Sequence, residues 1–162
     1  MTTGAFLTDS AARTRETGRV LATLLEPGDV VALTGDLGAG KTAFVQGVAQ
    51  GLGVTGPVVS PTFNILVDHV GRLTLHHFDL YRLEHADQLE DVDYFGTLEA
   101  DGVSFIEWGD RFPQAVPPES LIVEIEIVSP EERRFAVEGR GERGATLARL
   151  WLDAVAAAEA SS

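Results

Sequence analysis

The most restrictive stretch of this 162-residue chain is Val30-Val31-Ala32-Leu33-Thr34-Gly35-Asp36-Leu37-Gly38-Ala39-Gly40-Lys41-Thr42. Gly35-x4-Gly40-Lys41-Thr42 matches the P-loop pattern in full. Such a loop needs a buried strand before it and a helix after it. Both are legible. Asp29 to Thr34 is a short, nearly continuous apolar run that fits a buried parallel strand. Phe44, Val45, Val48, Ala49 and Leu52 then recur at helical spacing, and Gly51 and Gly53 are stop signals. The glycines let backbone N–H groups turn inward onto phosphate oxygens. The helix starting near Lys41 points its positive end at the same anion. In this pattern Lys41 reaches the β- and γ-phosphates, and Thr42 offers its hydroxyl to Mg²⁺. Lys41 is also the only lysine in the chain; the other eleven basic residues are arginines. Where charge alone matters, arginine replaces lysine. A phosphate cradle instead suits a compact ammonium on a flexible stem. A GTPase-type P-loop protein needs a second lysine in an Asn-Lys-x-Asp loop, so the expected nucleotide is adenine.

Length makes one domain the default. The expected division is a P-loop domain over residues 1–140, with a C-terminal helix and tail, 141–162, packed on it. The net charge is −13, from 12 basic and 25 acidic residues. Nucleic-acid binders carry a basic face that releases phosphate counterions. This chain cannot build a large one, so contact with nucleic acid would have to run through a partner. Acidic surface also suits docking to a basic protein, or solubility alone. There is no cysteine, which excludes disulfides and thiolate metal sites. Residues 1–6 show no basic-then-apolar leader pattern, and no apolar run approaches the ~20 residues of a membrane span. The expectation is a cytoplasmic protein without a membrane partner.

Elsewhere, Gly4 to Leu7 reads as a short strand, and Thr8, Asp9 or Ser10 caps a following helix. Thr17, Val20, Leu21, Leu24 and Leu25 give that helix one apolar stripe. Phe63–Val70 and Arg72–Phe78 read as a hairpin around Gly71. Glu84–Asp93 is an acidic helix candidate, and Val103–Ile106 another buried strand. Leu121–Val128 and Arg133–Glu138 are two more strands, expected to pair. Leu147, Leu150, Trp151, Ala154 and Val155 face a last helix, with Ala156–Ser162 expected to fray. Helices alternating with strands early, and hairpins later, indicate an α/β class with a mixed sheet.

A P-loop site needs an acid at the end of a neighbouring strand. Phe105-Ile106-Glu107 and Leu75-His76-His77-Phe78-Asp79 both end apolar strands in a carboxylate. One can hold the metal while the other orients water; alternatively, one caps a strand end or pairs with Arg82 or Arg111. Asp36 sits within the loop and would repel a γ-phosphate unless turned outward. Ser60-Pro61-Thr62-Phe63 reads equally as a switch-like segment or as a Ser-Pro turn. Arg133 and Arg134 precede a late strand, where a guanidinium can stack on an adenine ring or simply be solvated. His69, His76, His77 and His85 do not form a metal set. His76 and His77 point to opposite strand faces, so one is expected buried and the other exposed. Trp108 reads as a packing residue beside the site.

In order, "GDLGAGKT" (35–42), "SPTF" (60–63), "HFDLYRL" (77–83) and "IEW" (106–108) resemble the TsaE family, formerly YjeE. The resemblance runs from about Phe6 to about Gly139. It implies a P-loop NTPase-like three-layer α/β sandwich whose mixed sheet includes antiparallel hairpins. It also implies an ATPase of bacterial tRNA threonylcarbamoyladenosine synthesis, with ATP and Mg²⁺ as cofactors. The family's nucleotide loop falls on Gly35, Asp36, Leu37, Gly38, Ala39, Gly40, Lys41 and Thr42. Thr42 and Glu107 correspond to magnesium ligands and Asp79 to a Walker-B-like aspartate; Lys41, Asp79 and Glu107 would form the catalytic set. Ser60 and Thr62 fall on the switch-like element. Thr8 is the choice for a first-helix nucleotide contact, and Arg134 for one on the late strand. Family members hydrolyse ATP weakly alone and act with TsaB and TsaD. TsaD modifies the adenosine next to the anticodon of tRNAs reading ANN codons, so tRNA is met only through the complex. Gly141–Ser162 lies beyond the resemblance.

Two other readings compete. A small-molecule or nucleotide kinase needs basic lid residues, but Leu83 to Asp110 has no Lys or Arg and carries Glu84, Asp87, Glu90, Asp91 and Asp93. The other is a nucleotide-binding scaffold without turnover.

Overall fold

The computed structural model describes residues 2–35, 39–56, 58, 66–80, 94–99, 101–107 and 115–160, the side chains of Phe95 and Glu99 excepted. The expected helix at 84–93, the Ser60-Pro61-Thr62-Phe63 segment, Arg82, His85, Trp108 and Arg111 lie outside these residues.

Seven strands form one mixed sheet: β1 (Thr2–Thr8), β2 (Val30–Gly35), β3 (Leu66–His69), β4 (Leu75–Asp79), β5 (Val103–Glu107), β6 (Ser120–Ile127) and β7 (Arg133–Arg140). Their order is β1-β7-β6-β2-β5-β4-β3. The apolar run before the loop is the centre. β2 pairs in parallel with β5 on one side and β6 on the other, and β4 pairs in parallel with β5. Antiparallel pairs close both flanks: β6–β7–β1 and the β3–β4 hairpin. β1 exceeds the expected Gly4–Leu7 because it pairs with β7 from Thr2 to Thr8.

Helices α1 (Ala11–Ala22), α2 (Lys41–Gly51) and α4 (Gly141–Ala160) cover one face, and the short α3 (Tyr94–Glu99) the other. Ser10 caps α1, its hydroxyl accepting from the Arg13 amide at 3.1 Å. Under the three helices Phe6 stacks on Phe135 at 4.8 Å between centroids, and Trp151 meets Phe6 edge-on at 5.3 Å. The fully buried Trp151 donates its indole N–H to the Thr17 carbonyl at 3.0 Å, tying α4 to α1. Arg143 forks onto both oxygens of the buried Asp29, at 2.9 and 2.8 Å, and reaches the Leu24 carbonyl. The start of α4 is thereby fixed beside the start of β2. On the other face α3 packs Tyr94 edge-on against Phe78, and the Tyr94 hydroxyl donates to the Ala115 carbonyl at 2.7 Å.

Two expectations are corrected. Ala156–Ala160 does not fray but continues α4; alanine and glutamate are strong helix formers, and Trp151 and Val155 anchor the preceding turns. His76 and His77 are both buried, at 8% and 1% exposure. β4 is an interior strand with both faces covered, so alternation does not bring either ring to solvent. Among the described residues no helix is long and apolar enough to cross a membrane.

The orientation of α2 rests on its contact with α1. A Cβ at Gly47 would intrude on the Arg15 carbonyl, and one at Gly18 on the Phe44 carbonyl. Backbone against backbone leaves no flexible side chain to yield. Gly47→Ala is therefore expected to destabilise the chain by about 3 kcal/mol, roughly 6–12 °C in Tm for a domain of this size. Thermal and urea unfolding of the variant measure this.

Candidate functional site

The site collects where the parallel strands end. Gly40, at φ +101°, caps α2 in the left-handed region that glycine tolerates, and Lys41 is the helix's first residue. This turn ends the glycine loop at the positive end of an eleven-residue helix. Asp36, Leu37 and Gly38 lie outside the described residues. Gly35 ends β2, Ala39 is buried, and Thr42 is exposed on the first turn of α2.

Lys41 is 9% exposed, and its Nζ lies 3.6 Å from Oε1 of Glu107, which is 6% exposed. The other carboxylate oxygen, Oε2, lies 2.7 Å from Nε2 of His77. Parallel registry produces this grouping. Leu33 of β2 is opposite Glu107, and Glu107 is opposite Asp79 of β4. Glu107 and Asp79 therefore sit side by side at strand ends, with His77 two residues before Asp79 on the same face. Asp79 is half-buried.

Burial, the largest single influence on the Glu107 carboxyl, raises its pKa. The hydrogen bond from His77, together with the Lys41 ammonium, outweighs that and holds it below its ordinary value of 4.5. Glu107 is thus an anion facing a cation, with oxygen free of its own proton.

The remaining candidates are spread around this centre. Thr8 ends β1, 4% exposed, and its hydroxyl shares a 2.8 Å hydrogen bond with that of Thr14. The Thr14 methyl lies 3.7 Å from where a Cβ on Gly40 would be. Thr8 is thus linked to the loop through Thr14, a residue the sequence reading did not single out. Arg134 is not brought to the loop. It projects from the sheet face opposite Phe135, half-exposed, 3.9 Å from Glu126. Arg133 shares the face of Phe135, and its Nε donates to the Ala39 carbonyl at 3.1 Å. Strand alternation makes the difference: Phe135 is buried, so the residue two before it faces the loop. Ser60 and Thr62 lie outside the described residues.

A pocket of about 180 Å³ opens beside Gly40, bounded by Ser10, Thr14, Ala43, Pro130 and Arg133. A larger one, about 300 Å³, lies between α1 and α4, bounded by Thr8, Asp9, Arg13, Glu16, Val20 and Val155. Only the smaller adjoins the loop.

A glycine turn and lysine at the head of a helix, after the central strand of a parallel core and beside a strand-end carboxylate, define a P-loop NTPase-like α/β protein. The sequence model of the TsaE family, described as threonylcarbamoyl adenosine biosynthesis protein TsaE, matches residues 8–135. The chain belongs to the TsaE family. It is 40% identical over 128 residues to a tRNA threonylcarbamoyladenosine biosynthesis protein TsaE from Treponema pallidum (strain Nichols), covering 79% of this chain and 95% of that protein. Its counterpart from Streptomyces coelicolor is 42% identical over 140 residues, covering 82% and 94%. A crystal structure of YdiB from Bacillus subtilis superimposes with a TM-score of 0.79 at 30% identity, covering 94% of this chain and 95% of that one. The 6% left unmatched is about ten residues, fewer than the 20 of α4. Much of α4 is therefore common to both structures, although the sequence resemblance stops at Gly139.

The lowered pKa of Glu107 has a consequence for stability. As pH falls, the unfolded chain takes up this proton before the folded one does. The stabilisation from ionised Glu107 is present above its unfolded pKa and is lost as pH falls through the lower folded one. The unfolding free energy of the wild type, relative to Glu107→Gln, should decline as pH falls through and below the ordinary carboxylate value of 4.5. Urea titrations at a series of pH values would read this, and a flat difference would contradict it.

Proposed function

We propose that this chain is a magnesium-dependent ATPase serving tRNA threonylcarbamoyladenosine biosynthesis, the process named for its relatives. The observation that carries the reading is the buried Lys41 at the head of α2, 3.6 Å from Glu107. A lysine so enclosed, with a loose carboxylate partner and a helix N-terminus beside it, suits an anion that enters and leaves.

The donor set fits the group. Thr42 and Glu107 supply a hydroxyl and a carboxylate oxygen, hard ligands suited to Mg²⁺. Such an ion takes one or two protein ligands and draws the rest from phosphate and water. When bound, Mg²⁺ neutralises charge developing on the transferred phosphoryl group. Lys41 and the amides around Gly40 hold the phosphates in line. Asp79, beside Glu107 at the next strand end, is placed to accept a hydrogen bond from attacking water. The hollow beside Gly40, with Thr14 and Arg133 on its walls, offers room for the nucleoside end.

In this reading TsaB and TsaD are the partners, the chain is cytoplasmic, and tRNA is met only through the complex. The net charge of −13 supports indirect contact, because an acidic surface gains nothing from counterion release on RNA.

Lys41→Ala should lose about 2 kcal/mol of ATP binding, roughly thirtyfold in Kd, and all measurable turnover. Calorimetry and phosphate release test this with and without the TsaB and TsaD proteins. Stimulation by the pair is the expected result. Phosphoryl transfer to a small acceptor in preference to water would replace this reading with a kinase.

A further inference from the structure

We propose that His77 is a positioning residue: it holds Glu107 away from Lys41, so that the pair stays loose enough to admit phosphate and metal. The inference rests on the nucleotide reading above and assigns a task to a residue that reading does not use.

His77 is 1% exposed and lies on β4, one strand over from Glu107. Its Nε2 is 2.7 Å from Glu107 Oε2, a normal length for a hydrogen bond to a carboxylate. An ionised carboxylate only accepts, so Nε2 carries the proton. The other ring nitrogen, Nδ1, is buried and has no partner among the described residues. A proton there would be an unsatisfied buried donor, whereas a bare lone pair costs less. Both ends of the ring therefore specify the same tautomer, with N–H directed at Glu107.

The consequence lies on the other carboxylate oxygen. A relaxed lysine–carboxylate pair closes to about 2.7–2.9 Å, yet Lys41 Nζ stands 3.6 Å from Oε1. Both side chains are nine-tenths buried, and among the described residues the second carboxylate oxygen of Glu107 is taken by His77. Glu107 is tethered on the side away from Lys41 by a ring with no freedom to follow it. Without that tether the carboxylate would settle onto the ammonium, and phosphate would have to break a tight buried pair to reach Lys41.

Three full-length variants separate this from simple core packing. Gln places an amide N–H where imidazole carries Nε2. Asn has the same group but is too short to reach. Leu fills space without a donor. ADP affinity is measured by calorimetry with and without Mg²⁺. In His77→Leu and His77→Asn the enhancement of affinity by Mg²⁺ should fall about tenfold. In His77→Gln it should stay within about threefold of wild type. Equal enhancement in all folded variants would overturn the proposal and leave the nucleotide reading intact. Absence of nucleotide binding by the wild type would overturn both. A readout independent of nucleotide, and of whether the Leu variant folds, is the ¹⁵N imidazole spectrum of the free wild-type protein, with His77 assigned by its loss in His77→Gln. The proton is expected on Nε2; a proton on Nδ1 alone would overturn the tether.

Discussion

A lysine that is nine-tenths buried constrains everything near it. A lone ammonium cannot remain charged in a protein interior, and removing one partner of a buried ion pair typically costs about 3–5 kcal/mol. Lys41 must therefore lie beside an anion at all times. Among the described residues that anion is Glu107. Glu107, equally enclosed, must in turn have its other oxygen satisfied, and His77 does so. Among the described residues the cost of burying these groups falls on three side chains from three elements, α2, β5 and β4, which have to arrive in register.

The sheet supplies that register. β2, β5 and β4 run parallel, so their carboxyl ends converge at one edge. Open α/β sheets place ligands at such an edge. Any slip by one residue would turn Glu107 or His77 to the opposite face, among Phe78 and Ile106. The orientation of α2 is specified separately, by the glycine contact with α1. α1 is in turn held by the Trp151 indole and the aromatic stack beneath it. The C-terminal helix thus acts on the site at a distance: it fixes α1, α1 fixes α2, and α2 carries Lys41.

The strands at 30–35 and 103–107 were legible because buried parallel strands leave unbroken apolar runs, and the glycine loop because its residue types have few other uses. The helix at Tyr94–Glu99 was not. Six residues give too short a period, and its place depends on the Tyr94–Ala115 bond across the chain. Arg133 was legible in principle: it stands two residues before an apolar Phe135, which sets the face. His77 was open to the same argument, two residues before Asp79. Reading adjacent histidines as one inside and one outside presumed an edge strand. Sheet order is set by long-range pairing, which the local pattern of 75–79 does not record.

The charge distribution bears on how such a chain can act on tRNA. Its single lysine is committed to the interior, and among the arginines Arg143, Arg133 and Arg72 are drawn onto Asp29 or backbone carbonyls. Acidic residues outnumber basic ones by 25 to 12. A surface with a net charge of −13 gains little from counterion release on an RNA backbone. The nucleotide proposed above makes a smaller demand: one well-placed ammonium at a helix N-terminus. On the function proposed above, energy input and RNA contact belong to different chains, and an acidic surface suits joining them by docking on a basic protein.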